Sequence, residues 1–387
     1  MEFVWTVNVI LAFVLCISFA GIVIAQVLDV AFYRQLFDVP EARKVHQHLV
    51  PRLGGVVFMP VLVFTIILLL IINSLFGNDE LSKAVGENAL PLAYVYCSIT
   101  LLHLIGILDD LKGVDYHVKF VVQIVCGILF VGGGILISDL HGFMGIYALP
   151  FWVAIPFTIF VMVFIINAIN LIDGIDGLAS AICIIAFVFY GEFFFMFGLY
   201  LDSLVAFSAA GVLIPFYYYN VFGKIEKNKK IFMGDTGSLT MGILMGCLSI
   251  RLSHVSDTSA LSEHVDSFVL AFSPLLLPCL DVVKVYFIRI SHGINPFLPD
   301  KNHIHHRLMA LGLSQFATMV TLILFNGMLI SLNVALSFYV GTTVMLCVDI
   351  VIWIALTFLI EAGIKYRNLR NSNEQENNSN MPIELNE

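Results

Sequence analysis

Charged residues are scarce in this chain, and their scarcity excludes an ordinary soluble domain. Asp, Glu, Lys and Arg make up 12% of the 387 residues, which is half of the roughly 25% that soluble globular proteins carry. Hydrophobic residues account for 59% of the chain, and the mean hydropathy is +0.95. This composition predicts a membrane protein, for which no nucleic-acid partner is expected.

Cysteine pairs and internal repeats are also lacking. The seven cysteines lie singly inside or at the edge of apolar segments, and no Cys-x-x-Cys pair occurs. Neither a disulfide framework nor a zinc ribbon is therefore indicated. Without a convincing internal repeat, a secondary transporter built from inverted repeats is also disfavoured.

Long apolar runs are the dominant feature. Runs of about 20 residues cross a hydrocarbon core of about 30 Å. Eleven are predicted, with ten as the alternative because the eighth is short and the last two are poorly separated. They cover approximately 4–28, 53–76, 89–108, 119–138, 149–168, 178–198, 203–221, 237–252, 267–287, 316–333 and 335–360. Because the runs are too long for barrel strands, the predicted fold is all-α, a polytopic transmembrane helical bundle.

Basic residues predict the orientation of this bundle. With eleven spans and the N-terminus outside, seventeen of the nineteen Lys and Arg residues share one face, and only Lys83 and Arg251 lie near outer loops. The positive-inside rule makes the shared face cytoplasmic, and the C-terminus lies there too. Residues 1–370 are predicted to form one membrane domain, and the polar segment 371–387 a disordered cytoplasmic tail.

Four polar clusters lie at the ends of apolar runs, and all four are predicted on the cytoplasmic side. The first is Asp109-Asp110, and the others are segments 167–177, 234–238 and 303–307. At a helix C-terminus, a cation near the two acids is favoured by about 0.3–1 kcal/mol. A divalent cation, or Lys112 and Lys119, would relieve the repulsion between them; a solvated helix-end pair is the alternative.

The second cluster has a regular spacing. Four polar side chains recur every three residues: Asn167, Asn170, Asp173 and Asp176. On a helix this spacing gives a slowly drifting polar stripe, which would hold hydrated magnesium or a nucleotide. Gly174 and Gly177 would let other groups come close. A capped helix end with polar packing is the alternative.

The remaining clusters suggest anion binding. Segment 234–238 precedes an apolar run, so its Asp, Thr or Ser would cap the helix, or the free N–H groups would bind a phosphate beside Asp235 as a metal ligand. Segment 303–307 contains three histidines. Zinc, phosphate contact and a structural role are all open. Zinc is disfavoured because no Cys-rich partner exists and the carboxylates elsewhere suit Mg²⁺ better, and phosphate contact is favoured. The basic turn 51–55 alone is only a weak indication of a functional site.

Together these segments resemble the polyprenyl-phosphate N-acetylhexosamine-1-phosphate transferase family, which includes the phospho-muramoyl-pentapeptide transferases. The match runs in order from Arg43 to Leu313. The resemblance implies transfer of a sugar 1-phosphate from a UDP-N-acetylhexosamine to polyprenyl phosphate, with release of UMP and use of Mg²⁺ or Mn²⁺. It further implies a multi-pass protein of the bacterial inner membrane, in contact with membrane lipid, whose active site is cytoplasmic. A homodimer is left open.

The resemblance also implies roles for individual residues, with Asp235 as the metal ligand. The catalytic residues implied are Asp109, Asp110, Asp173, Lys119 and His303. The substrate-binding residues implied are Asn170, Asp176, Phe232, His305, His306 and Arg307. Ile304 interrupts the three consecutive histidines of the muramoyl-pentapeptide branch, so the sequence motif is closer to that of the undecaprenyl-phosphate GlcNAc-1-phosphate transferase branch. Another UDP-N-acetylhexosamine, or UDP-MurNAc-pentapeptide, is the alternative donor.

Two different classes of protein compete with this interpretation. A secondary transporter would place polar groups at the bilayer midplane, whereas the acids here lie at span ends. An intramembrane aspartyl protease would need glycine at position 232 to complete a Gly-x-Gly-Asp signature, and Phe232 stands there. Within the transferase class, direct attack by the lipid phosphate is favoured over a covalent aspartyl intermediate.

Overall fold

The computed structural model describes residues 2–36, 50–255, 266–293 and 302–379, with side chains up to residue 373. These residues form fourteen α-helices and one two-stranded sheet, which confirms the all-α class of membrane protein. The helices are α1 Glu2–Tyr33, α2 Phe58–Leu75, α3 Glu80–Glu87, α4 Ala89–Lys112, α5 Tyr116–Gly132, α6 Phe151–Ile172, α7 Leu178–Met196, α8 Tyr200–Phe222, α9 Gly234–Ser253, α10 Ser267–Phe272, α11 Leu276–Ser291, α12 Ile304–Leu311, α13 Gln315–Leu336 and α14 Thr342–Ser379.

Nine helical segments of this described part are long and apolar enough to cross a membrane. They comprise α1, α2 with the 3₁₀ turn that precedes it, α4, α6, α7, α8, the unit of α10 and α11, α13, and α14. The other two predicted runs are also helical. The helix α5 is apolar but has only 17 residues, and α9 has 20 residues rich in Gly, Ser and Thr. The eleven predicted runs therefore all coincide with helices, nine of which meet this length and hydropathy criterion.

The helix α9 lies at the centre of the bundle. From Thr236 to Ser253 every residue except Arg251 is buried, and the helix contacts α4, α6, α7 and α10. A helix that is enclosed by protein on all sides does not need the strongly apolar surface of a lipid-facing span. Small residues suit this position because they let neighbouring helices approach closely. The polar segment at its start is thereby placed among the ends of several helices.

A hairpin outside the helices was not predicted. Strands β1 (Asp139–Phe143) and β2 (Ile146–Ala148) pair antiparallel between α5 and α6, with Asp139 opposite Ala148. The backbone N–H of Met144 donates to Thr343 Oγ1 at 2.7 Å, so the hairpin contacts the start of α14. This contact links the middle of the chain to its last helix.

The last helix extends further than the polar sequence indicates. The helix α14 continues to Ser379 and so includes the first part of the segment 371–387 that was predicted to be disordered. No Pro or Gly lies between Lys365 and Ser379 to end the helix. Residues 380–387 lie outside the described part of the chain. The division of the chain into a membrane domain and a tail stays a prediction.

Candidate active site

Three of the predicted residues meet in one ionic cluster. The ammonium nitrogen of Lys119, on α5, lies 3.1 Å from Asp109 Oδ2 and 2.8 Å from Asp235 Oδ2. Asp109 is near the end of α4 and Asp235 is in the first turn of α9. All three side chains keep between 14% and 26% of their surface exposed, so the cluster is open to solvent or to a ligand. Lys119 offsets the repulsion between two carboxylates that also contact each other.

The neighbouring carboxylate has a different role in the structure. Asp110 Oδ1 accepts from the backbone N–H of Asp235 at 2.8 Å, and Asp110 Oδ2 accepts from the N–H and hydroxyl of Thr236 at 2.9 and 2.6 Å. Met233, the N-cap residue of α9, makes no side-chain capping bond. A side chain of α4 therefore caps α9, where a negative charge is favoured by the helix dipole. The capping expected from residues 235, 236 or 238 themselves is not seen.

Close backbone contacts hold the start of α9 in place. A Cβ atom at Gly106 would lie 2.4 Å from Thr236 Cα, and one at Gly55 would lie 2.0 Å from the Gly237 nitrogen. The N–H of Gly55 donates to the Met233 carbonyl at 2.9 Å. Glycine is needed at positions 55 and 106 because any side chain there would separate the backbones. The turn 51–55, weak as a sequence signal, thus supports the site, and its paired glycines were the available clue.

The prediction that Asn167, Asn170, Asp173 and Asp176 form one stripe on a helix is wrong for the two aspartates. The helix α6 ends at Ile172, so Asp173 is its C-cap and Asp176 lies in the loop before α7. Gly177 has a φ of +80°, a left-handed conformation that glycine adopts readily and that does not continue a helix. Of the two amides on α6, Asn167 pairs with Gln123, with its Nδ2 2.7 Å from Gln123 Oε1.

The other amide reaches the carboxylate cluster. Asn170 Nδ2 donates to Ser238 Oγ at 2.8 Å, and the Asn170 side chain also bonds to Asp235. Desolvation, with the carboxylates of Asp235, Asp176 and Asp110, raises the pKa of Asp173 to about 7, and the guanidinium of Arg52 opposes this shift. Asp173 therefore exchanges a proton near neutral pH.

A second ion pair lies beside this loop. Lys230, which is buried, places its Nζ 2.6 Å from Asp176 Oδ2. Asn220 accepts from the Gly177 N–H at 2.6 Å and donates to the Ile231 carbonyl at 2.8 Å, so it ties the loop to the segment before α9. In the sequence, Lys230 was only one of the seventeen basic residues on the predicted cytoplasmic face, and Asn220 gave no signal. The half-buried Phe232 follows directly in this segment.

The histidine segment packs against the same loop. A Cβ atom at Gly174 would lie 2.2 Å from His305 Nε2, so the imidazole rests on the backbone of that glycine. The rings of His303 and His305 are stacked with centroids 5.8 Å apart, and that of His306 lies 4.3 Å from His305. Desolvation, followed by the charges of His306 and His303, lowers the pKa of His305 to about 3. His305 is therefore neutral at physiological pH.

One predicted substrate residue has a different partner in this structure. Arg307 Nε donates to Glu361 Oε1 at 2.7 Å, and a second guanidinium nitrogen bonds to Glu361 Oε2. This ion pair joins α12 to α14 and points to a structural contribution. The residues Arg43 and Lys44, and the segment 299–301 before the histidines, lie outside the described residues.

The chain is similar in sequence to known proteins over most of its length. Residues 92–253, which cover most of α4 and all of α5 to α9, match the model of glycosyl transferase family 4. The matched segment covers less than half of the 387 residues. The chain is 27% identical to the undecaprenyl-phosphate alpha-N-acetylglucosaminyl 1-phosphate transferase of Escherichia coli O157:H7, over 85% of each chain. It is 28% identical to the probable undecaprenyl-phosphate N-acetylglucosaminyl 1-phosphate transferase of Bacillus subtilis (strain 168), over 80% of this chain and 79% of the relative.

The oxygen atoms of the four carboxylates would suit a hard divalent cation. The carboxylates of Asp109, Asp110, Asp173 and Asp235 outnumber the cations Lys119 and Arg52 near them. Among the described residues, no group of three or more His, Cys, Asp or Glu side chains is arranged to hold a metal ion by itself. Mg²⁺ is commonly held by one or two carboxylates together with water and substrate phosphates. Asp235, with Asp109 beside it, would hold such an ion.

The contact between Gly174 and His305 leads to a first prediction. Because alanine at 174 would displace the His305 ring, Gly174→Ala should lower turnover by about 100-fold, the cost of a misplacement of about 1 Å. Gly86→Ala, where a new Cβ meets no atom within 4 Å, is the matched control. Turnover is measured as release of nucleotide from membranes. In a His305→Ala background the ring is gone, so Gly174→Ala should cause little further loss; a full additional loss would contradict this explanation.

Proposed function

We propose that this protein transfers N-acetylglucosamine 1-phosphate from UDP-N-acetylglucosamine to undecaprenyl phosphate, releases UMP, and thereby begins a lipid-linked glycan of the cell envelope. The observation that carries the proposal is the cluster of Asp109, Lys119 and Asp235 at the ends of three bundle helices. The names of the relatives from Escherichia coli and Bacillus subtilis support the choice of lipid and sugar.

The reaction places several negative charges close together. An oxygen of the lipid phosphate forms a bond to the phosphorus that carries the sugar, and the bond from that phosphorus to UMP breaks. A bound Mg²⁺ would offset the charge of the diphosphate. Lys119 supplies a further positive charge at the same place, and such preorganised charge stabilises the transition state.

The four carboxylates divide into distinct roles in this proposal. Asp235 and Asp109 are assigned to binding of the metal ion, because both contact Lys119 and remain partly exposed. Asp110 positions Asp235 through the backbone, since its two oxygens accept from the N–H groups of Asp235 and Thr236 at the start of α9. Asp173 is assigned to proton exchange with the phosphates because its pKa of about 7 is suited to that task.

The donor nucleotide is assigned to the loop before α7 and to the histidine segment that packs against it. We assign Asp176 and Phe232 to contacts with uracil, and Lys230 holds the carboxylate of Asp176 in position. His303 and the neutral His305 lie beside the loop that carries Asp173, where they would contact phosphate oxygens. Asn170 orients Asp235 through its amide.

The membrane arrangement in this proposal follows from the basic residues. We place the N-terminus outside, the C-terminus and the active site at the cytoplasmic face of the bacterial inner membrane, and eleven helices across the bilayer. The prenyl tail would then stay in lipid while its phosphate meets a water-soluble donor at the rim. Polar groups gathered at helix ends fit this chemistry better than transport, which needs a site near the midplane.

A panel of donors tests the proposed function. Membranes that contain the protein are supplied with undecaprenyl phosphate, Mg²⁺ and one of UDP-N-acetylglucosamine, UDP-N-acetylgalactosamine or UDP-MurNAc-pentapeptide. We expect a lipid-linked product and equimolar UMP with the first donor only, and loss of product when EDTA removes the metal. A product with only one of the other donors would change the assigned sugar. Uptake of donor without UMP release would contradict a transferase.

A further inference from the structure

A buried carboxylate outside the predicted site contacts the histidine segment. Asp281, on α11, has a side chain that is 1% exposed. Its Oδ2 lies 2.8 Å from Nδ1 of His303, and its Oδ1 accepts from the backbone N–H of Ile304 at 2.8 Å. Both oxygens are thus committed to two consecutive residues at the start of α12.

These two bonds determine which ring nitrogen of His303 is free. A carboxylate only accepts hydrogen bonds, so Nδ1 of His303 carries a proton. The other ring nitrogen, Nε2, is left for a different partner. The second bond caps α12, whose N-cap residue His303 makes no side-chain cap of its own. Ring orientation and helix position are therefore determined by the same side chain.

We propose that Asp281 is a positioning residue that acts through His303: it orients the imidazole and anchors α12 so that Nε2 is presented to the transferring phosphates. This inference rests on the proposed function. The path to the site is short, because the His303 ring stacks on that of His305, which rests against Gly174 next to Asp173. A carboxylate that holds a histidine by Nδ1 commonly determines how the opposite nitrogen acts.

The variant Asp281→Asn tests this role with little change of shape. The two donors bond to different oxygens of Asp281, so an Asn that still accepts from the Ile304 N–H places its NH2 group, a donor, against Nδ1 of His303. The ring then adopts the other tautomer, with the proton on Nε2. We expect turnover to fall by about 10- to 100-fold, with little change in KM for the donor. Asp349→Asn is the matched control, because Asp349 is also buried and accepts from Asn333 Nδ2 at 3.1 Å, between α13 and α14.

A double variant separates positioning from a general effect on stability. If Asp281 acts through His303, Asp281→Asn should lower turnover less than twofold in a His303→Ala background. A loss there as large as in the wild-type background, or wild-type turnover of the single variant, would overturn the proposal. If the single variant is not recovered folded, as judged by gel filtration and thermal melting, the comparison in the His303→Ala background decides.

A measurement that does not depend on activity distinguishes this inference from the proposed function. In ¹⁵N-histidine-labelled protein, the His303 signal is identified by its loss in His303→Ala. It should report a protonated Nδ1 in the wild type and a protonated Nε2 in Asp281→Asn. An unchanged tautomer would overturn the positioning role even in an active enzyme. An absence of transfer by the wild-type protein would contradict only the proposed function.

Discussion

Replacing Asp235 by Asn should reduce UMP release by about a thousandfold or more while the membrane domain stays folded. The amide keeps the size of the side chain but loses the charge that pairs with Lys119 and, in our proposal, holds Mg²⁺. The fold should survive because the start of α9 is held through the backbone N–H groups of residues 235 and 236, which bond to Asp110. The rate is measured in detergent with UDP-N-acetylglucosamine, undecaprenyl phosphate and a titration of Mg²⁺.

Glu226→Gln is the control for this substitution. Glu226 is an exposed acid in the segment that leads to α9, and its removal changes the net charge equally. We expect that variant to keep wild-type turnover and the wild-type response to Mg²⁺. If Asp235→Asn were as active as the wild type, the assignment of Asp235 as the metal ligand would have to be withdrawn.

Replacing Lys119 by Ala should have the second-largest effect. Without the ammonium group, Asp109 and Asp235 face each other with no positive charge between them, and the phosphates lose a stabilising partner. We expect turnover to fall by about 100-fold, and the thermal melting temperature in EDTA to fall as well, because the repulsion is then uncompensated. Nucleotide release and a melting curve with and without Mg²⁺ measure the two effects.

Lys112→Ala provides the comparison for Lys119. Lys112 is an exposed residue of the last turn of α4, on the same rim but outside the ionic cluster. Its removal should leave both turnover and melting unchanged. Similar losses in the two variants would mean that only the general positive charge of the rim matters. Wild-type activity of Lys119→Ala would remove that residue from the mechanism.

The fold could largely be predicted because lipid imposes simple requirements on a sequence. Each apolar run of about 20 residues is helical, and even α9 was recognised despite its Gly, Ser and Thr content. The hairpin 139–148 was missed because its strands are short and its register depends on turns with left-handed glycines and on contact with α14. Such contacts join residues that are distant in sequence, so no local sequence pattern predicts them.

The site was predicted less completely than the fold. The positions of Asp109 and Asp235 at one rim followed from the ends of the apolar runs, and Lys119 was expected nearby. The capping role of Asp110 could not be read from the sequence, because it depends on how α4 packs against α9. Asp281 gave no signal either, since a single acid inside an apolar run shows neither its partner nor its direction.

The capping of α9 by Asp110 has a consequence for biosynthesis. An aspartate of one helix satisfies the backbone of another only after the two have docked, so the packing of α4 against α9 also brings Asp109 next to Asp235. If the proposed function is correct, immature or misassembled copies in the bilayer would be inert towards the nucleotide sugar. Correct packing of the central helix and activity of the site would then depend on the same hydrogen bonds from α9 to Asp110.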